Sequence, residues 1–225
     1  MILSLLRSSA LVARLYSWFH GTRYRVYGPG HRIVCHNARI EHTDVEITGK
    51  NCRLSIGPGA RLWHCSIKLM GDGAELHIGS GCRLRRARLV AEDDGTRLRI
   101  GDQTTMTGPT LVAQEGGLLQ LGRDCMVAQN AELRNSDSHS ILDAASGSRL
   151  NPAADAIIGD HVWIGLGAFV FKGARIANGS VVAARSLVAG EIPPACIAVG
   201  TPAKVVRSGI VWQRSRSTGS VTTAQ

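Results

Sequence analysis

Residues 158–187 read IGDHVWIGLGAFVFKGARIANGSVVAARSL. Cut every six residues, the stretch becomes IGDHVW, IGLGAF, VFKGAR, IANGSV and VAARSL, with an aliphatic residue first and a small or β-branched residue fifth. The same hexad begins at Ile56 (IGPGAR), Ile78 (IGSGCR), Ile100 (IGDQTT) and Leu121 (LGRDCM). A short fixed period is the mark of a solenoid. Each hexad holds one short strand and one turn, so three of them close a triangular coil of about 18 residues, and coils stack ~4.7–4.9 Å apart through parallel-strand hydrogen bonds. The first position then fills the interior, and the small fifth position lets the wall turn. Glycine, frequent at the second position, is expected to supply unusual backbone angles.

Working outward from that run, the earlier hexads start at 56, 78, 100 and 121, and the next starts only at 158. About 15 residues beyond the earlier spacing are inserted there, and loops projecting from a solenoid are where function concentrates. The inserted segment, 134–152, reads RNSDSHSILDAASGSRLNP and carries His139 between Asp137 and Asp143. At the other end, residues 2–19 read as a short helix with Leu5, Leu6, Val12, Leu15 and Phe19 on one stripe and Arg7 and Arg14 outside it. Such a helix either caps the first coil or lies on an anionic membrane surface. The expected organisation is a helix and linker over 1–32, a β-helix domain over 33–207 and an extension over 208–225. From Arg214 onward that extension has the composition of a flexible tail.

Composition narrows the classes. A length of 225 residues suits one domain with appendages, and only 4% of residues are aromatic, so the core must be aliphatic. No apolar run reaches the roughly 18 residues of a membrane span. None of the six cysteines forms a C-x-x-C pair, which excludes zinc ribbons and thioredoxin-like motifs. Cys82 and Cys125 occupy the small fifth position and read as packed thiols. Arg7 and Arg14 break the apolar N-terminal stretch, so no secretion signal is expected and the cytoplasm is the expected location. The net charge of +9 is uneven. Residues 1–40 hold six arginines and no acid, residues 192–225 hold Lys204, Arg207, Arg214 and Arg216 and no acid, and the body is close to neutral. A generic nucleic-acid-coating domain is a poor reading of that distribution.

Residues 158–207 resemble the C-terminal half of the hexapeptide-repeat acyltransferases. Two pieces carry the likeness, IGDHVWIG (158–165) and IPPACIAVGTPAKVVR (192–207). The loop NSDSHSI (135–141) is similar to the S-D-x-H-S-I loop of sugar and polysaccharide O-acetyltransferases. The resemblance spans roughly residues 33–212. It implies an all-β, left-handed parallel β-helix, assembled as a homotrimer, with acetyl-CoA and a sugar or polysaccharide-precursor acceptor bound between neighbouring subunits.

Acetyl transfer to a hydroxyl needs a base, an oxyanion donor and a seat for the CoA arm. Histidine is the natural base because it titrates near neutrality. By resemblance His139 is the base, with Asp137 orienting it, binding the acceptor or only shaping the loop; Glu132 is a weaker orienting candidate and Asn151 a support for the loop base. The oxyanion donor maps to the backbone N–H of Leu166. Gly165, Leu166 and Ala184 line the CoA arm, and Lys204 and Arg207 face its phosphates. Two positions depart from the family: Ala189-Gly190 replace a common Thr-Lys pair, and Arg185, which replaces a common Gly, is a candidate phosphate contact. No resident metal is expected. The competing readings are an amino-acid or amino-sugar acyltransferase, a non-enzymatic scaffold, and a γ-type carbonic anhydrase, which would need three zinc-binding histidines on stacked walls.

Overall fold

A computed structural model describes residues 19–216, and they are all-β. Among them 25 short strands form three sheets of eight, eight and nine strands. The chain visits the sheets in turn, so they form the three faces of a prism, here named A, B and C in the order the chain enters them. Every pairing between these strands is parallel except the last, where Cys196–Gly200 and Ala203–Ser208 form an antiparallel hairpin.

The register on face A shows how the coils are built. Asp44, Ser66, Arg88, Thr110 and Glu132 stand one above another, so each of these coils is longer than three hexads. Glu132 is followed by Phe169 across the insertion, and Phe169 by Leu187 after a coil of just three hexads. The prism tapers accordingly. On faces A and B the strands shorten from four residues, as in Arg88–Ala91 and Arg97–Ile100, to two, as in Phe169–Val170 and Arg175–Ile176.

The hexad reading accounts for the core. Ile56, Ile78, Ile100, Leu121, Ile158, Ile176 and Ile192 form one interior column along face B. All are buried. Each such side chain contributes about 1.5–3 kcal/mol, so an aliphatic ladder replaces the aromatic core the composition lacks. Ala60, Cys82, Thr104, Cys125, Val162 and Ser180 stack along the edge between faces B and C, all fully buried. Burial drives the Cys82 and Cys125 thiols up to about 11, as expected of packed sulfur.

Three expectations need correction. The second-position glycines do not serve unusual angles: a Cβ on Gly101 would lie 2.4 Å from the carbonyl carbon of Gly122 in the next coil, so the glycine is there for close stacking. The left-handed residues sit two places later, at Asp124, His161 and Arg185 among others. Second, the first coil starts with Arg23–Val26, ten residues before the expected boundary at 33. Third, Arg214 does not begin a free tail. It donates to Asp124 Oδ1 at 2.9 Å, Thr105 Oγ1 at 2.6 Å and the carbonyls of Asp124 and Cys125, while buried Trp212 stacks on His161 at 4.0 Å. The expected helix over 2–19 and the end of the tail lie outside the described residues, Phe19 apart. No helix among the described residues is long and apolar enough to cross a membrane.

Candidate active site

The insertion leaves the prism at the edge between faces A and B and is tied down at both ends. From the coil below, Gln114 N–H donates to Asn135 Oδ1 at 2.7 Å, Gln114 Oε1 accepts from Ser138 Oγ at 2.8 Å, and Glu115 takes Ser136 and both arms of Arg149. Arg149 first, then Ser136, draws the Glu115 carboxyl down to about 2. From the coil above, Lys172 Nζ lies 2.6 Å from Asp137 Oδ2. Asn151, itself buried, closes the loop: its Nδ2 donates to Asp137 Oδ2 and to the His139 carbonyl, both at 2.8 Å, and its Oδ1 accepts the Ile141 N–H at 2.6 Å.

These ties leave His139 exposed, its imidazole making no hydrogen bond among the described residues. Asp137 is held well below the usual carboxylate range, chiefly by the Lys172 hydrogen bond and then by Asn151. Both partners meet Oδ2, and Oδ1 makes no hydrogen bond among the described residues. Asp143 only shapes the loop, accepting the Ala145 and Ser146 N–H groups in an Asx turn. Glu132 pairs with Arg134. The loop exposes Ile141, Leu142 and Leu150, each more than half accessible.

The residues expected along the CoA arm gather on a different edge, between faces C and A. The Arg185 N–H donates to the Leu166 carbonyl at 2.8 Å, so 165–167 and 184–185 lie on successive rungs. Gly165 is required there, because a Cβ would sit 2.6 Å from the Ala184 nitrogen. The Gly165 and Gly167 N–H groups are taken by the carbonyls of Val182 and Gln129, while the Leu166 N–H finds no backbone acceptor among the described residues. Glycine flanks that donor on both sides. Equivalent turn positions such as Ala184 also lack an acceptor, but without glycine on both flanks. Arg185 itself takes the left-handed conformation (φ 57°), where the family pattern has Gly.

The hairpin continues this edge. Lys204 pairs with Val199 and Arg207 with Ile197. Three positions apart, the two would point to opposite sides of a regular strand. A bulge between Ile197 and Ala198 absorbs one residue, and Lys204 and Arg207 share the outward side of Val199 and Ile197.

One chain therefore brings Gly165, Leu166, Ala184, Arg185 and Lys204 onto one edge, with Arg207 farther along face C, and sets His139 and Asp137 on another, across face A. Sequence reasoning missed Gln114, Glu115, Arg149 and Lys172. Counting one full coil back from Ser136 finds the first two; Arg149 and Lys172 had no local signal. Among the described residues no group of three or more His, Cys, Asp or Glu could hold a metal ion.

No family model matches this sequence. A polysialic acid O-acetyltransferase of Escherichia coli O1:K1 is 37% identical over 95 residues, covering 42% of this chain and 31% of that protein. One from Neisseria meningitidis is 33% identical over 99 residues, 44% of this chain and 46% of that protein. The chain thus spans less than half the length of these curated relatives. The solved structure of the polysialic acid O-acetyltransferase OatWY is similar over 88% of this chain and 94% of that one, with a TM-score of 0.85 and 30% identity. That of the polySia-specific acetyltransferase NeuO covers 87% and 90%, with a TM-score of 0.77 and 30% identity. On the stacked hexads, the looped insertion and this near full-length likeness, the chain belongs to the left-handed β-helix, hexapeptide-repeat family of sugar O-acetyltransferases.

Proposed function

We propose that this protein transfers an acetyl group from acetyl-CoA to a hydroxyl of a sugar in a cell-surface polysaccharide. The observation that carries the reading is the likeness, over 88% of the chain, to a polysialic acid O-acetyltransferase. The chemistry assigned to this chain's residues follows the demands of the reaction. His139 takes the acceptor hydroxyl proton as the oxygen attacks the thioester carbon. The Leu166 N–H stabilises the oxyanion that forms, and its flanking glycines let the carbonyl approach. The CoA thiolate then leaves, taking the proton from His139. Asp137, through Oδ1, holds the imidazole or an acceptor hydroxyl. Ala184 lines the pantetheine arm, and Arg185, Lys204 and Arg207 meet the phosphates.

Both groups are needed at once, and one chain keeps them across face A. This separation, with Ile141, Leu142 and Leu150 exposed on the loop, supports a homotrimer in which His139 of one copy meets the Gly165 edge of the next.

The test supplies acetyl-CoA and a panel of acidic and neutral glycans, follows CoA release and weighs the product by mass spectrometry. We expect ester formation, with kcat lowered about 10²–10⁴-fold by His139→Ala. An amide product, or full activity without His139, overturns the assignment.

A further inference from the structure

Face C carries a feature the acyl-transfer reading does not use. Its outward columns place Arg39, Arg61 and Arg83 on three consecutive rungs, beside Glu41, Trp63 and Arg85. Together they line a groove of about 380 Å³. The other faces interleave their charges: Glu46 pairs with Arg25 and Lys68 on face A, and Glu75 pairs with Arg53 on face B. On face C no acid stands between the three stacked arginines, and Arg39, Arg61, Arg83 and Arg85 are all exposed and form no ion pair among the described residues. Arg85 is instead held over the Trp63 ring at 4.9 Å, and Arg86 at 5.5 Å. That contact orients the guanidinium without neutralising it.

The groove thus sets four arginines, Arg39, Arg61, Arg83 and Arg85, against one carboxylate, Glu41, on rungs ~4.8 Å apart. Planar guanidinium forks match planar carboxylates in paired hydrogen bonds. Nucleobases would need a free aromatic face, and Trp63 is covered by Arg85 and Arg86 and edged by His64 at 4.1 Å. The column above Arg83 runs through Thr105 and Met126 to Trp163, next to the Gly165 edge. Three rungs are ~14 Å, a span a polymer bridges and a single sugar does not.

We propose that the face C groove is a binding site for a carboxylate-bearing polysaccharide, holding one stretch of an acidic glycan while another reaches the acetyl-transfer edge. The proposal rests on the reading of the acceptor as a glycan, and it is tested by binding alone. Fluorescence anisotropy is measured without acetyl-CoA on end-labelled polysialic acid, neutral dextran and single-stranded DNA, with anionic phospholipid vesicles by co-sedimentation. The full chain is compared with the exposed double variant Arg61→Gln/Arg83→Gln. We expect polysialic acid to bind with an affinity that falls with salt, the double variant to bind at least tenfold more weakly, and dextran not to bind. Acetyl-CoA binding should be the same in both proteins. Absence of polysialic acid binding, equal binding by the double variant, or tighter binding of DNA or vesicles through the same arginines overturns the proposal. A protein that binds polysialic acid through Arg61 and Arg83 but acetylates nothing retains the site and loses only the reaction.

Discussion

Asn151→Ala tests whether the loop is held in the way its geometry indicates. The substitution removes three hydrogen bonds, of 2.6 Å to the Ile141 N–H and 2.8 Å each to the His139 carbonyl and Asp137. A net hydrogen bond is worth about 1 kcal/mol. Asp137 is exposed and recovers water, so its share is small, whereas the two backbone groups bracket the imidazole. The docked loop should lose about 2–3 kcal/mol, which raises its opening equilibrium about 30- to 140-fold at about 1.4 kcal/mol per tenfold. Native-state hydrogen exchange at the Ile141 amide reads this directly, and the midpoint of thermal unfolding should move little because the stacked coils are untouched. If acetyl transfer is measured alongside, kcat should fall with the docked population. An Ile141 amide as protected in the variant as in the wild type refutes the reasoning.

Glu115 adds a pH dependence: its folded value of about 2 lies below the ordinary 4.5, so its hold on Ser136 and Arg149 is complete above about pH 4.5 and lost as pH falls through about 2. Pepsin cleavage within 134–152 should accelerate over that window, and Glu115→Gln should be cleaved rapidly throughout it. Gly165→Ala puts a Cβ 2.6 Å from the Ala184 nitrogen, so overpacking should cost about 1–3 kcal/mol and weaken acetyl-CoA binding; an unchanged Tm and affinity would contradict the stacking account. Trp212→Ala removes the ring stacked on His161 and the indole donor to the His161 carbonyl, and denaturant unfolding should show a loss of about 3 kcal/mol, the low end for tryptophan truncation. Should that variant unfold like the wild type, the C-terminal segment contributes nothing to the fold.

Much of the fold was legible because a solenoid's rules are local. Each hexad needs only its own aliphatic, its small residue and the coil on either side, so Ile158 and Ile176 could be placed in one column from their spacing alone. The candidate site was half legible. His139, Gly165 and Ala184 stand in recognisable short motifs, yet their spatial relation follows from which prism edge each turn occupies. The role of the second-position glycines was misread because the obstacle, the backbone of the next coil, is nowhere near in sequence. The exposed arginines of face C gave no warning either, since the body's charge sums to almost nothing.

The sequence by itself determined the period, and with it the all-β coil, the aliphatic columns and the position of the inserted loop. Only the tertiary structure decided that a bulge turns Lys204 and Arg207 to the same side, that Glu115 and Arg149 grip the loop, and that Arg39, Arg61 and Arg83, each a full coil from the next, form one ladder. The physical reason is the coil length: stacking converts a whole coil of sequence separation into one rung, a juxtaposition that no local pattern records.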